Sequence, residues 1–405
     1  MSKVILHIDL NQFFVTCARI LDPTLNNVPL AIGADGRGGI VSTCSYEARK
    51  YGIHSGMPMF YAKQLCKDLI IKEVDFNFID LLSNEFIHHV KSISSSIEQV
   101  SCDECYCDIT EYFLKYKNFN IISFLKNFQK KLYNETKLQC SIGIAPTKFL
   151  AKMGSDYKKP SGITIIRKKD VKKILFPLKI DDFYGIGKKT APKLYEINIK
   201  TIGDLYNSIK ENKISYDILS NDFQKHILDC LEGNTSNKLN DYIPKSKSIG
   251  ITSTLNFDTS DKDYIRSYLT KLSKQVINKM IKNDYLTKTI NIILKSSSCN
   301  EGFKVYNFSH SFNDYTDNLD FILKETLKKF NNVYTNFEIR MIGFSVKGLK
   351  KRYNAFTQMT FDNYKEHEKE SDTYLLINEI NRKFNKEVVK RASDLKKYGN
   401  KWSFW

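Results

Sequence analysis

The chain reads as an α+β, multidomain protein, and three observations carry that reading. β-prone and helical segments alternate through residues 1–167 without the regular period of a doubly wound sheet. From 168 to about 235 the pattern turns helical, and from 246 to 350 it becomes strand, helix, strand, strand, helix, strand, a β-α-β-β-α-β module. At 405 residues, with 42% hydrophobic and 13% aromatic content, the chain is long enough for several proper cores.

The elements follow from their residues. Residues 1–10 form an apolar run, VILHI, that ends on Asp9, so a rigid, reachable carboxylate stands at a strand terminus. NQFFVTCARIL reads as a helix, PLAIGAD and GGIVSTCS as strands around a Gly-rich turn, and YEARKYG as a helix stopped by Gly52. A helix (IDLLSNEFIHHVKSI), a strand (SIEQVSCD) turning into CYCDIT, a helix (FLKNFQKKLYNET), a strand (QCSIGIAP) and a Lys-rich helix ending at PSG follow. DYIPKSKS, polar and carrying a proline, reads as a linker. Beyond it, KTINIILK and KVYNFSH alternate and leave one sheet face open to water. Its Lys and Ser residues suit a phosphate backbone, though a merely solvated face fits the same pattern.

Charge narrows the partner. Lys and Arg total 62 against 45 Asp and Glu, a net +17 with a pI near 9.2, and most of the excess lies beyond residue 167. Such a balance favours a polyanion, either nucleic acid or an anionic membrane surface. No run approaches the ~18 apolar residues of a membrane span, and no basic-apolar-small signal pattern opens the chain, so a cytoplasmic protein is expected. Nine cysteines, without paired C-x-x-C modules, agree. Cys102, Cys105 and Cys107 cluster; on a strand Cys105 and Cys107 would share one face, with Cys102 on the other beside Glu104. They read as small buried hydrophobes rather than a zinc site.

Two constellations carry chemistry. Asp9 and the pair Asp103 and Glu104 supply three carboxylates, each beside a β-prone segment, as needed to hold two Mg²⁺ ions over a phosphoryl transfer. Gly185-Ile186-Gly187, followed by Lys188 and Lys189, sits between helical patterns like a helix-hairpin-helix. Its glycines would let the backbone approach a phosphate, and its lysines would add charge. A plain helical turn competes with this reading. INIKTIGDL extends the pattern past the turn and favours phosphate binding.

HIDLNQFF, STCSYEARKYGIHSGMP, SCDECYCD, SIGIAPTKFLAKMGSDYKKPSGI and YGIGKK, in this order, resemble the Y-family translesion DNA polymerases of bacteria over residues 1 to about 350. The resemblance implies a right-hand polymerase. The palm would be 1–10 and 75–167, small fingers 11–74, a helical thumb 168–235, a linker 236–245, a little finger 246–350 and a tail 351–405. It implies that Asp9 and Asp103 bridge two Mg²⁺ ions, that Glu104 helps hold the catalytic one, and that the Leu10 carbonyl completes the nucleotide metal's shell. Tyr46, Arg49 and Lys159 match its triphosphate clamp, with Ser42 and Thr43 near the same phosphates. Phe14 matches the aromatic gate that stacks under the sugar and excludes a ribose 2′-hydroxyl. Gly185, Gly187, Lys188 and Lys189 would hold DNA, and Glu47 matches a motif position to which no chemistry is assigned.

The chain also departs from the family. Cys102, Cys105 and Cys107 replace small apolar residues around the acidic pair, and Ala18-Arg19 follows the gate where Glu is common. Asn11, Cys17 and Cys107 lean toward the polymerase V-like branch of low-GC bacteria, whereas SYEARKYG resembles the polymerase IV-like form. In the tail, Gln358, Met359 and Phe361 partly resemble the peptide by which polymerases bind the replication sliding clamp. The expected protein is a monomeric, low-fidelity DNA polymerase without a proofreading exonuclease, taking primer-template DNA and deoxynucleoside triphosphates. The competing readings are another palm-type two-metal nucleotidyl transferase, such as a nucleotide cyclase, and a catalytically silent DNA- or clamp-binding protein.

Overall fold

The computed structural model describes residues 3–116, 119–240, 246–297 and 302–352, with isolated positions 380, 388 and 389. Gln358, Met359 and Phe361 lie outside the described residues. The chain forms two compact units, Met1–Pro244 and Lys245–Trp405.

A wholly buried strand, β1 (Ile5–Leu10), centres the first unit. It is followed by α1 (Phe13–Leu21), then β2 (Leu30–Ile32), β3 (Thr43–Cys44), the one-turn α2 (Tyr46–Arg49), α3 (Met59–Leu65) and β4 (Ile70–Lys72). Strands β2 to β4 make a small sheet of order β3-β2-β4. Next come α4 (Phe76–Lys91), β5 (Ile97–Gln99), β6 (Glu104–Asp108), α5 (Thr110–Lys115), α6 (Ile121–Thr136), β7 (Cys140–Ala145), α7 (Lys148–Tyr157) and β8 (Ile163–Ile165). The large sheet has order β5-β6-β1-β7-β8, with β1 antiparallel to both neighbours.

Alternation along β1 sorts its residues between two layers. Leu6, Ile8 and Leu10 join Cys105, Cys107, Ile142 and Ile144 in a core closed by Phe86 and Val90 of α4 and Leu125 and Leu132 of α6. His7 and Asp9 face α7, where their partners lie. Gly143 of β7 makes that layer possible. A β-carbon there would stand 1.9 Å from the Ala151 carbonyl oxygen, so only glycine lets α7 lie this close to the sheet.

Two local expectations are corrected. SIEQVSCD is not one strand running into CYCDIT; β5 and β6 form an antiparallel hairpin, and residues 100–103 are its turn. The Val100 and Ser101 amides both donate to the Glu104 carbonyl, which closes that turn tightly. Cys102 therefore precedes the strand, alternation does not govern it, and it packs against the same core as Cys105 and Cys107. All eight described cysteines are unbridged.

The rest of the first unit is helical: α8 (Val171–Ile174), α9 (Ala191–Glu196), α10 (Ile202–Lys210) and α11 (Asn221–Leu231). Thr201 and Asp204 make a reciprocal capping box at the start of α10. Leu175, Ile186, Leu194, Leu205 and Ile227 form one core with Phe149, Leu150 and Met153 of α7, so α7 is packed from both sides.

The second unit has the expected β-α-β-β-α-β order: β9 (Ser248–Thr259), α12 (Lys262–Lys282), β10 (Tyr285–Ser296), β11 (Val305–Thr316), α13 (Leu319–Val333) and β12 (Ile339–Lys347), with β13 (Lys350–Lys351) paired to β10. Ile290, Ile292, Leu294, Ile342, Phe344 and Val346 pack with Leu269, Val276, Ile322 and Phe330 of the helices. The opposite face exposes Ser248, Thr252, Ser309, Ser311 and Lys347, as the alternation implied. No helix among the described residues is long and apolar enough to cross a membrane.

Candidate active site

The sheet register builds the acidic site. Asp9 of β1 and Glu104 of β6 are direct cross-strand partners, so their side chains rise together on the α7 face. Asp103, in the hairpin turn, is tied to the same strand end because the Leu10 amide donates to its carbonyl at 2.9 Å. The Ser101 hydroxyl donates to Asp103 Oδ1 at 2.5 Å and accepts from the Glu104 amide at 3.1 Å. Burial, reinforced by the charges of Asp9 and Glu104, pushes the Asp103 carboxyl above its ordinary range.

Two lysines hold the other carboxylates. Lys152 of α7, only 9% exposed, donates to Asp9 Oδ2 at 3.0 Å and to Glu104 Oε2 at 2.8 Å. Lys159 donates to Asp9 Oδ1 at 2.7 Å and pairs with Asp156 at 2.8 Å. Burial opposes the charge of both lysines, but the surrounding carboxylates outweigh it and raise their pKa values. The His7 ring, then Lys152, holds the Glu104 carboxyl down at about 2 against burial. His7 itself is driven toward its neutral form by burial, and its Nδ1 shares a 2.8 Å hydrogen bond with Ser155. Its Nε2 stands 3.5 Å from Glu104 and lacks a full hydrogen bond, so the shorter, charged Lys152 contact fixes that carboxylate.

Among the described residues no three His, Cys, Asp or Glu side chains close into a ready-made metal cage, because lysines stand among the acids. The donor set nevertheless fits a hard cation: three carboxylates and backbone carbonyls, oxygen throughout, with Glu104 kept ionised.

Next to the acids opens a cleft of about 330 Å³, and it gathers most of the residues singled out in the sequence. Asp9, Leu10, Asp103 and Lys159 line it together with Ser42, Thr43, Tyr46, Arg49 and Phe14. Ser45 caps α2 through the Ala48 amide, which points the first turn at the cleft. Arg49 lies 5.3 Å from the Tyr46 ring, so the two share a helix face as their spacing implies. Lys159 is found on Asp9 and Asp156, within the same cleft where the triphosphate clamp was expected.

The Gly185-Gly187 turn is not part of this cleft. Ile186 is buried, whereas Gly185, Gly187, Lys188 and Lys189 around it are exposed, the display a backbone-phosphate contact needs. Gly185 has φ of 112°, a conformation that favours glycine. The following helix α9 spans only six residues, and Lys188 Nζ stands 3.3 Å from His54 Nδ1.

Sequence reasoning missed Lys152, His7 and Gln12. Lys152 carried a signal: it sits between Lys148 and Asp156 at four-residue spacing, yet its neighbours FLA and M are apolar, which marks a lysine turned inward. Gln12 adopts φ of 47° and, instead of capping its own helix, accepts the Tyr46 amide at 2.7 Å, docking α2 onto the end of β1. Glu47 also gains a role, pairing with Arg19 at 3.0 Å.

Residues 8–156 match the impB/mucB/samB family, residues 168–199 its helix-hairpin-helix motif and residues 246–361 its C-terminal domain. DNA polymerase IV of Bacillus velezensis is 31% identical across 99% of this chain and 95% of its own length. DNA polymerase IV of Ureaplasma parvum is 33% identical across 88% and 98%. Among solved structures, a Y-family DNA polymerase chimera superposes with a TM-score of 0.73 at 24% identity, covering 86% of this chain and 99% of the other. The insertion ternary complex of Dbh DNA polymerase gives 0.56 at 25%, covering 88% and 100%. The named relatives are polymerase IV proteins, and the leaning toward the polymerase V-like branch is not confirmed by them. With the acidic hairpin, the cleft beside it and all three family segments present in one chain, this protein belongs to the impB/mucB/samB family and is a Y-family, DNA-directed DNA polymerase.

Proposed function

We propose that this polymerase performs low-fidelity translesion synthesis by two-metal nucleotidyl transfer on primer-template DNA. One observation carries the reading. Asp9, the cross-strand partner of Glu104, and Asp103 line the same 330 Å³ cleft that presents Tyr46, Arg49 and Lys159. Asp9, Asp103, Glu104 and the Leu10 carbonyl are the groups that would hold Mg²⁺. Two bound ions would supply acidification of the primer 3′-hydroxyl and neutralisation of the triphosphate. The primer 3′-oxygen bonds to the α-phosphorus of the incoming nucleotide as its bond to pyrophosphate breaks.

The residues of the chain orient this exchange. Arg49 offers a planar fork and Tyr46 a phenolic donor to the phosphate oxygens. Lys159, 29% exposed at its side chain, is able to leave Asp9 for an arriving triphosphate, whereas Lys152, at 11%, stays under Asp9 and Glu104 and bridges them. Phe14 in the lining of the cleft meets the sugar. The exposed hairpin at Gly185 to Lys189 and the hydroxyl-bearing face of the second unit's sheet each suit a phosphate backbone. Clamp binding through Gln358, Met359 and Phe361 belongs to the same reading.

Primer extension past a single abasic site, with Mg²⁺ and all four deoxynucleotides, tests the proposal. The wild type is expected to extend beyond the lesion, and Asp103→Ala, folded by circular dichroism, is expected to extend neither damaged nor intact template. Extension on intact template that halts at every lesion tried refutes the translesion role. Activity retained by Asp103→Ala refutes the metal assignment.

A further inference from the structure

Phe14 lines a second pocket as well as the cleft. The cleft beside the acids and a solvent-open pocket of about 180 Å³, apolar at its base and rimmed by Asp22, Lys72, Glu73 and Asp75, share Phe14 in their linings. On α1 this cavity is bounded by Cys17, Ala18 and Leu21, at i+3, i+4 and i+7 from Phe14, with Leu25 and Phe78 across from them. Helical side chains lean toward the N-terminus, so residue 18 covers the surface under the Phe14 ring. It is alanine, the departure already seen after the gate position, and it supplies a single carbon. The ring packs against the neighbouring cores on part of its surface, and the pocket leaves the rest without the dispersion contacts that would fix it.

We propose that Phe14 is a yielding gate: its ring gives way into this cavity when a ribonucleoside triphosphate presents its 2′-hydroxyl, and the small residue at Ala18 sets how readily it does so. The inference rests on the reading of Phe14 as the residue that meets the sugar. The rigid side of the site does not share this softness. Phe13, beside it, is 2% exposed and packed among Leu10, Ile79 and Leu82, so the backbone that carries the gate is anchored while the gate's own side chain has room. Sugar selectivity is then controlled from behind the ring by residues that never touch the nucleotide.

Single-nucleotide insertion by the full chain, comparing kcat/KM for a deoxynucleotide and its matched ribonucleotide, tests this with Ala18→Val and Ala18→Leu. Filling the cavity is expected to leave deoxynucleotide insertion within about twofold. Ribonucleotide insertion should fall about threefold in the valine variant and about tenfold in the leucine variant. Should the leucine variant unfold, the valine variant, which adds only two carbons, carries the test alone. Phe14→Ala serves as the reference for the gate itself and is expected to erase most of the sugar discrimination. If Phe14→Ala erases it and the folded Ala18 variants leave it unchanged, the yielding gate is overturned and the gate stands. If Phe14→Ala changes nothing, both fall.

Discussion

The two large sheets of this protein treat polar groups in opposite ways. In the first unit the sheet concentrates charge: Asp9 and Glu104 are cross-strand neighbours, and Lys152 and His7 are buried around them. In the second unit the open face spreads neutral hydroxyls and amides, with Ser309 donating to Asn291 at 2.9 Å and Thr289 sharing a 3.0 Å hydrogen bond with Ser311. Buried charge must find its partners inside the fold, because unpaired it costs several kcal/mol. An exposed face of hydroxyls and amides, with Lys347 at its edge, tolerates partners that come and go. On the proposed reading, the first sheet serves one defined reaction and the second a backbone that slides.

Breaking the concentrated site should have the largest effect. Asp9→Asn removes a proposed ligand and the acceptor of both lysines, and extension should fall by at least ~10³-fold, the equivalent of about 4 kcal/mol in the transition state. Single-turnover insertion with saturating nucleotide checks this, and a loss below tenfold would remove Asp9 from the centre of the reaction.

Lys152→Met sharpens the comparison, because it separates folding from metal affinity. Removing one partner of a buried ion pair costs about 3 kcal/mol, to be read by urea unfolding without metal. The acids left behind should bind Mn²⁺ more tightly, seen by paramagnetic resonance in the absence of DNA, so added metal should restore much of the lost stability. Stability lost with metal affinity unchanged would reduce Lys152 to a packing role.

In the second unit the expected effects are milder and of another kind. Lys347→Ala, on the exposed face, should lower the slope of log K against log salt for duplex DNA by roughly 0.9 and leave single-turnover kcat untouched. A changed kcat with an unchanged slope would contradict the division between the two sheets.

What could be read from the chain follows the same division. The second unit was legible as a β-α-β-β-α-β module because its strands run to 12 residues and the first halves of β9 and β11 alternate. The residues that the motifs singled out do meet in the fold: Asp9, Phe14, Tyr46, Arg49, Asp103 and Lys159 all line one cleft. The turn at 100–103 was not, since β5 has three residues and offers no period to detect. Lys152 left only the faint mark of its apolar neighbours, because a lysine on an amphipathic helix is ordinarily solvated, whereas this one is buried on Asp9 and Glu104. Register has no sequence signature when strands are short and distant, so the Asp9–Glu104 pairing awaited the structure.

The smallest effect is the most particular to the concentrated site, because two adjacent acids should give pH dependences of opposite sign. Glu104 titrates at about 2 in the fold, below its unfolded value near 4.5, so its contribution to stability is complete above about 4.5 and lost as pH falls toward 2. Asp103 is raised, so it holds its proton longer in the folded chain than in the unfolded one. The wild type then loses stability as pH rises from the unfolded Asp value near 3.8 through the raised folded value. Glu104→Gln should flatten the first slope and Asp103→Asn the second, each measured by urea unfolding from pH 3 to 7 without metal. Equal slopes in the two variants would mean that the lysines neutralise the acids as one cluster, rather than holding Glu104 and leaving Asp103 to burial.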